Sequence, residues 1–145
     1  MGVDLAAFER LGSHPWAYPA LEVAHIVGIA LLLGNLVLFE LRVWGVGAAL
    51  PVTVLSRVAL RLSLAGFGLA ALTGLTMFAT QPGDLLANRP FVIKMGLLAL
   101  AGVNAAAFHL RGGSVRLDRV AHAQTAASLG IWLGVIICGR WIAYA

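Results

Sequence analysis

The chain is short of charge. Only 11% of its 145 residues are Asp, Glu, Lys or Arg, whereas a soluble domain carries charge on about a quarter of its residues. Hydrophobic residues make up 61% of the chain, and its mean hydropathy is +0.93. This balance excludes a soluble enzyme, a disordered regulator and a conventional nucleic-acid binder, so we expect no nucleic-acid partner. It favours a protein whose main partner is the lipid bilayer.

Cysteine and lysine each occur once in the chain, as Cys138 and Lys94. A lone cysteine excludes an intramolecular disulfide and a cysteine-rich metal site. The only methionines are Met1, Met77 and Met95, so the methionine-rich stretches expected of a copper collector are missing. The sequence also lacks a phosphate-binding glycine loop, a His-Glu-x-x-His motif and a Gly-x-Ser-x-Gly motif.

Long apolar runs, in contrast, are abundant. A bilayer core requires roughly 20 mostly apolar residues per helix. Four stretches meet that length, at about 19–41, 62–80, 91–110 and 123–141. Because they lack the alternation typical of strands, we predict an all-α membrane protein. It is expected to form a single domain, 1–145: an antiparallel bundle of four transmembrane helices, preceded by a short interfacial helix at about 1–11.

The arginines predict the orientation of this bundle. Six lie in or beside the two loops that follow the first and third predicted spans: Arg42, Arg57, Arg61, Arg111, Arg116 and Arg119. Cytoplasmic loops are enriched in Lys and Arg, so we expect both loops inside the cell and both termini outside. The expected location is the bacterial inner membrane, which the chain would cross several times. The net charge of +4 is then a topology signal.

Small residues recur at four-residue spacing on three predicted spans. They are Ala30 and Gly34, then Gly66, Ala70 and Gly74, and last Ala126, Gly130, Gly134 and Cys138. Helices in lipid approach closely where such residues face each other. These faces predict either contacts within one bundle or a seam of a homo-oligomer.

Polar side chains inside the spans are the candidates for function, because they are costly in lipid. Towards the predicted outer side lie Glu22, His25, Lys94 and Arg140, within a turn or two of one depth. Towards the inner side lie Asn35, Glu40, Asn104, His109 and His122. We expect Glu22, Arg140, Asn35 and Asn104 to form a supporting polar cluster. The Lys94 ammonium either serves a site or reaches to the headgroups.

The histidines are candidate ligands of haem iron or of a metal ion. His109 closes the third predicted span and His122 opens the fourth, so their depth allows them to face each other across one haem or metal ion. His25 lies more than ~15 Å from both in height and cannot share one iron with them in the same subunit. The alternative for each is a hydrogen-bonded histidine without a ligand.

Five short stretches carry a resemblance. They are Leu21-Glu-Val-Ala-His25-Ile-Val-Gly-Ile, Phe39-Glu-Leu-Arg42, Thr73-Gly-Leu, Phe91-Val-Ile-Lys94 and Gly139-Arg-Trp-Ile-Ala-Tyr144. They resemble a bacterial family of four-helix membrane proteins of unassigned function, itself similar to the CopD copper-resistance domain and to HemJ, the membrane protoporphyrinogen oxidase. In HemJ-like proteins a first-helix histidine and a third-helix lysine are tied to haem and activity, which implies His25 and Lys94. The CopD likeness implies copper handling across the inner membrane.

Three functions are therefore considered. The preferred one is a b-type haem protein that transfers electrons with a redox partner or oxidises a membrane-soluble substrate, as a haem-dependent oxidoreductase. Haem b would be bound by His25, with Lys94 near a propionate or as a second ligand, or by His109 and His122 at the cytoplasmic side. The second is a copper or small-solute transporter with His25 and Met95 among its ligands, and with His109 and His122 as the other candidate metal ligands. The third is a non-catalytic accessory membrane subunit.

Overall fold

Four long helices dominate the structure. A computed structural model describes residues 2–145, without the side chain of Ser114. The helices are α1 (Leu5–Ser13), α2 (Ala17–Val43), α3 (Val52–Thr80), α4 (Pro82–Ala87), α5 (Arg89–Leu110) and α6 (Arg119–Trp141), with 3-10 turns at Gly113–Val115 and Ile142–Tyr144. No strand occurs in the described residues. Because α2, α3, α5 and α6 are long and apolar enough to cross a membrane, the predicted all-α membrane fold is confirmed.

The predicted short N-terminal helix is present as α1 and ends two residues later than expected, at Ser13. Its predicted first residue, Met1, lies outside the described residues. α1 packs against the end of α3, where Gly12 contacts the Thr80 side chain. The backbone N–H groups of Trp16 and Ala17 both donate to His14 Nδ1 at 3.2 Å. His14 therefore satisfies free donors at the start of α2.

α3 begins at Val52, about ten residues before the predicted second span. Arg57 and Arg61 consequently lie on the first turns of α3, and the loop shrinks to the residues between Val43 and Val52. Arginine is a good helix former, and a helix that extends past the hydrocarbon keeps its backbone hydrogen-bonded. Arg42 then fixes this loop, because its Nε donates to the Leu50 carbonyl at 2.8 Å.

Side chains also fix the starts of α5 and α6. Asn88 accepts a hydrogen bond from the Phe91 N–H at 3.2 Å, and Asp118 accepts one from the Ala121 N–H at 2.9 Å. Both bonds satisfy a backbone donor that the first helical turn leaves free. The Arg111 guanidinium also donates to Asp118 at 2.9 Å. The Ala121 N–H, and then Arg111, hold the pKa of the Asp118 carboxyl below its ordinary value.

α2 and α3 cross with their backbones in contact at two glycines. A Cβ added to Gly66 would lie 2.6 Å from the Gly28 carbonyl oxygen, and one added to Gly28 would lie 2.7 Å from the Ala70 nitrogen. Neither position therefore accommodates a side chain. Part of the predicted small-residue face of α3 is thus used inside the bundle, as expected where small residues let helices approach. Its partner on α2 is Gly28, which the four-residue spacing from Ala30 does not include.

The other predicted small-residue faces are more open. A Cβ at Gly34 on α2 or at Gly130 on α6 would have no neighbour within 4 Å. Gly134 does contact α5, since its added Cβ would lie 3.1 Å from the Leu97 side chain. The homo-oligomer seam therefore stays a prediction.

The two ends of the bundle differ in their contents. We call the end that holds both chain termini and α4 the terminal end, and the end that holds the α2–α3 and α5–α6 connections the loop end. A buried apolar cluster lies at the loop end, formed by Phe39, Val43, Ala59, Phe108 and Ala121. The outward faces stay largely uncovered: no more than 22% of any spanning window is buried, as a helix bundle in lipid requires.

Candidate functional site

His25 is held on α2 by the backbone of α3. Its Nδ1 lies 2.8 Å from the Ala70 carbonyl oxygen and 3.0 Å from Thr73 Oγ1. A carbonyl oxygen only accepts, so Nδ1 carries the proton and donates. Nε2 is then the unprotonated nitrogen, and within residues 2–145 it makes no hydrogen bond. The ring therefore presents one free lone pair.

The space for this ring comes from a glycine. A Cβ added to Gly74 on α3 would lie 3.2 Å from His25 Cε1, which is tighter than ordinary van der Waals contact. The small face of α3 thus has two uses. Gly66 admits the α2 backbone, and Gly74, two turns further along α3, admits the imidazole of His25.

Lys94 lies at the same end of the bundle. Its Nζ is 3.5 Å from the position that a Cβ would take at Gly139 on α6. The side chain is half-buried, and no described residue forms a hydrogen bond or ion pair with it. The structure therefore places Lys94 at the same end of the bundle as His25, and a site shared by the two side chains stays a prediction.

The four residues predicted to support the site have separate partners. Arg140 donates to the Tyr144 hydroxyl at 2.6 Å and lies over its ring. Glu22 is exposed, and the ion pairs among the described residues do not include it. Asn35 donates to Leu31 of its own helix at 2.8 Å. Of these four, only Asn104 joins two helices, by donating from α5 to the Gln124 carbonyl of α6 at 2.9 Å. No hydrogen bond among the described residues links the four side chains into one cluster.

His109 and His122 lie at the loop end with different neighbours. The Nε2 of His122 donates to the Val43 carbonyl at 3.0 Å and so satisfies the C-terminal end of α2. His109 contacts the Phe108 ring edge to face, with ring centroids 5.5 Å apart. The described residues contain no group of three or more His, Cys, Asp and Glu placed to hold a metal ion. A shared haem or metal ion between these histidines stays a prediction.

A cavity of about 50 Å³ lies at the loop end between α2, α5 and α6. Its polar lining residues are Glu40, Asn104, His109, Gln124, Thr125 and Ser128. Glu40 is only 3% exposed, and neither of its carboxylate oxygens has a hydrogen-bond partner in the described residues. Sequence reasoning noted Glu40 as an intramembrane carboxylate but gave it no role. The feature of the sequence that could have indicated this place is the group of polar residues on α6 that faces it, Gln124, Thr125 and Ser128.

Comparisons of this chain with protein-family models, with curated proteins and with solved structures return no match. The resemblance to HemJ and CopD stays a prediction drawn from short stretches of residues. Two places on α2 are therefore the candidates for function, His25 at the terminal end and Glu40 at the loop end.

Proposed function

We propose that the protein is an integral membrane redox protein that binds haem b through His25 and either transfers electrons or oxidises a membrane-soluble substrate. The observation that carries this proposal is a ring with one fixed free lone pair at the same end of the bundle as Lys94, which has no partner in the described residues. The Nδ1–H of His25 donates to the Ala70 carbonyl, while Nε2 is free. Histidines that ligate a metal almost always donate their other ring N–H to a carbonyl, a carboxylate or water, which fixes the tautomer and makes the ligating nitrogen more basic.

The position of Lys94 supports the same proposal. A half-buried ammonium among apolar helices requires a partner, and no described residue supplies one. A haem propionate would pair with it at the same end of the bundle as His25. Gly139 has no side chain to cover the ammonium, since its Cβ position lies 3.5 Å from Nζ. Lys94 would therefore orient and neutralise the acidic edge of the group that His25 ligates.

The chain's own residues would supply ligation, orientation and a dry environment. Haem, when bound, provides one-electron chemistry at its iron. Thr73 helps to fix the His25 ring: its Oγ1 lies 3.0 Å from Nδ1 and donates to the Leu69 carbonyl at 2.8 Å. The apolar faces of the surrounding helices exclude water, which lets the environment tune the reduction potential.

The two other functions have less support. A copper site needs several donors, and the described residues contain no group of three that fits a metal ion. An accessory subunit would use its polar residues only to hold helices together. In that case the double variant His25→Leu/Lys94→Gln would keep any activity and any bound cofactor of the complex it serves.

The test is an absorption spectrum of the purified protein, expressed with excess haem precursor. We expect a Soret band that shifts on reduction with dithionite, and its loss in His25→Ala. The matched controls are His109→Ala and His122→Ala, which should keep the band. A colourless unsubstituted protein contradicts the proposal. A band that survives in His25→Ala and disappears in either control would move the haem to the loop end.

A further inference from the structure

Glu40 is the most deeply buried charged side chain of the described residues. It is 3% exposed and lies beside Phe39 and Val43 on the last turns of α2. Both of its carboxylate oxygens are fully covered, and neither accepts a hydrogen bond within residues 2–145. An ionised carboxylate without donors is strongly unfavourable inside a protein. The fold therefore buries Glu40 where no described residue donates a hydrogen bond to its ionised carboxylate.

Two arginines at the loop end are engaged with other groups. Arg42, on the same helix, donates to the Leu50 and Ala48 carbonyls. Arg111, at the end of α5, donates to Asp118 and to the side-chain oxygen of Gln124. Neither guanidinium lines the cavity. Glu40 therefore has no ion-pair partner among the described residues.

One titratable group does face the cavity. His109 lines it from α5, whereas α3 contributes only Leu60 and α6 contributes the uncharged Gln124, Thr125 and Ser128. His109 is therefore the lining group of the described residues that can relay a proton to or from Glu40. No second carboxylate is present to complete a site for a metal cation.

The cavity offers acceptors for a proton on Glu40. The Asn104 Nδ2 is used in its bond to Gln124, which leaves Asn104 Oδ1 without a partner in the described residues. The Ser128 hydroxyl lines the same space. A single water needs about 10–15 Å³ and two to four polar partners, so a cavity of about 50 Å³ with these groups has room for at least one. An O–H on Glu40 would thus find an acceptor in this cavity, whereas the ionised carboxylate accepts no hydrogen bond from a described residue.

We propose that Glu40 is a proton-binding site inside the membrane bundle, which is protonated at neutral pH and exchanges its proton through the loop-end cavity that His109 borders. The carboxylate takes up one proton to become a carboxylic acid, and the O–H then donates into the cavity. The site is separate from the proposed haem site, since it lies about 22 Å further along α2 than His25. It does not depend on haem binding.

The test is infrared spectroscopy of the full-length protein in detergent. In the double variant Glu9→Gln/Glu22→Gln, Glu40 is the only glutamate left, so ¹³C-labelling of the glutamate side-chain carboxyl reports on Glu40 alone. At neutral pH we expect the C=O stretching band of a protonated carboxylic acid, which shifts in D2O. The symmetric and antisymmetric bands of an ionised carboxylate, seen instead at neutral pH, would overturn the proposal.

Two further variants sharpen this result. Glu40→Gln should remove the carboxylic acid band from the otherwise unsubstituted protein, whereas the matched control Glu22→Gln, at the exposed end of the same helix, should leave it in place. His109→Gln should slow the D2O shift of the Glu40 band several-fold if the proton passes through the loop-end cavity. An unchanged rate of this shift contradicts that route.

Discussion

His25 and Glu40 lie on one helix, about 22 Å apart along its axis. They differ in whether the neighbouring helices supply a hydrogen-bond partner. At the terminal end, the only donor of the His25 ring has a backbone partner on α3. At the loop end, the Glu40 carboxylate has no partner in the described residues and faces a cavity. The first arrangement fixes a lone pair for a ligand. The second leaves a buried carboxylate without a hydrogen-bond partner among the described residues.

The packing of α2 explains this difference. Between the two ends, Gly28 and Gly66 bring the α2 and α3 backbones into contact, so a side chain just beyond the crossing reaches the opposite backbone. That is where His25 meets Ala70. At the loop end, large rings separate the helices instead, with Phe39 and Phe108 centroids 5.9 Å apart. Rings of this size leave gaps that polar side chains line incompletely.

The largest effect is expected at the glycine crossing. Gly66→Leu would place a side chain where the Gly28 carbonyl lies 2.6 Å from the first added carbon. Overpacking usually costs up to about 3 kcal/mol and more where the backbone itself is in the way, so we expect loss of the folded bundle. The measurement is thermal unfolding in detergent.

The matched control for the crossing is Gly68→Leu. Gly68 lies two residues further along the same helix, and a Cβ there would meet nothing within 4 Å. We expect its melting temperature to stay close to that of the unsubstituted protein. Similar losses in both variants would mean that α3 tolerates leucine poorly for a reason other than its contact with α2.

A moderate effect is expected from removing the hydrogen bond that joins the end of α2 to α6 at the loop end. The Trp44 indole N–H donates to the Thr125 hydroxyl at 2.7 Å, and Thr125 is buried. Trp44→Phe removes this bond and should lower the free energy of unfolding by about 1 kcal/mol. Trp141→Phe, at an exposed position of the terminal end, is the control. Equal losses in the two variants would show that the bond to Thr125 adds nothing beyond ring size.

The smallest effect concerns the start of α6. Because the folded-state pKa of Asp118 lies below its ordinary value, ionised Asp118 stabilises the fold at neutral pH. That contribution is lost as the pH falls through the lowered pKa. Asp118→Asn should therefore lower the melting temperature slightly at neutral pH and flatten its decline in acid. Asp84→Asn is the control, and an unchanged acid profile in Asp118→Asn would contradict this reasoning.

The four spanning helices could be predicted from the sequence, and so could the similar depth of His25 and Lys94. Both follow from local rules: the length of apolar runs, and a rise of about 1.5 Å per residue. Sequence reasoning did not predict the start of α3, because Arg57 and Arg61 are compatible with either a loop or a helix. It also selected Ala30 and Gly34 on α2, where the contact with α3 uses Gly28. Which face of α2 meets α3 depends on the angle and position at which the two helices cross, and the sequence of one helix does not determine these.

Glu40 shows the same limit at the candidate sites. Its residue type and approximate depth are visible in the sequence, but it is buried where residues of three other helices, among them Leu60, Phe108 and Ser128, border the same cavity. The hydrogen bond of His25 depends likewise on a carbonyl 45 positions away. Contacts of this kind arise from pairing between helices and leave no periodic mark in the chain.

The most direct test of the account is chemical rescue at His25. The variant His25→Gly should lose the Soret band, and added imidazole should restore it together with its shift on reduction, because the free base replaces the missing axial nitrogen. The matched control His122→Gly should keep its band without imidazole. A His25→Gly protein that retains the unsubstituted spectrum, or that imidazole leaves colourless while the unsubstituted protein is coloured and both are folded, would contradict the assignment of His25 as the haem ligand.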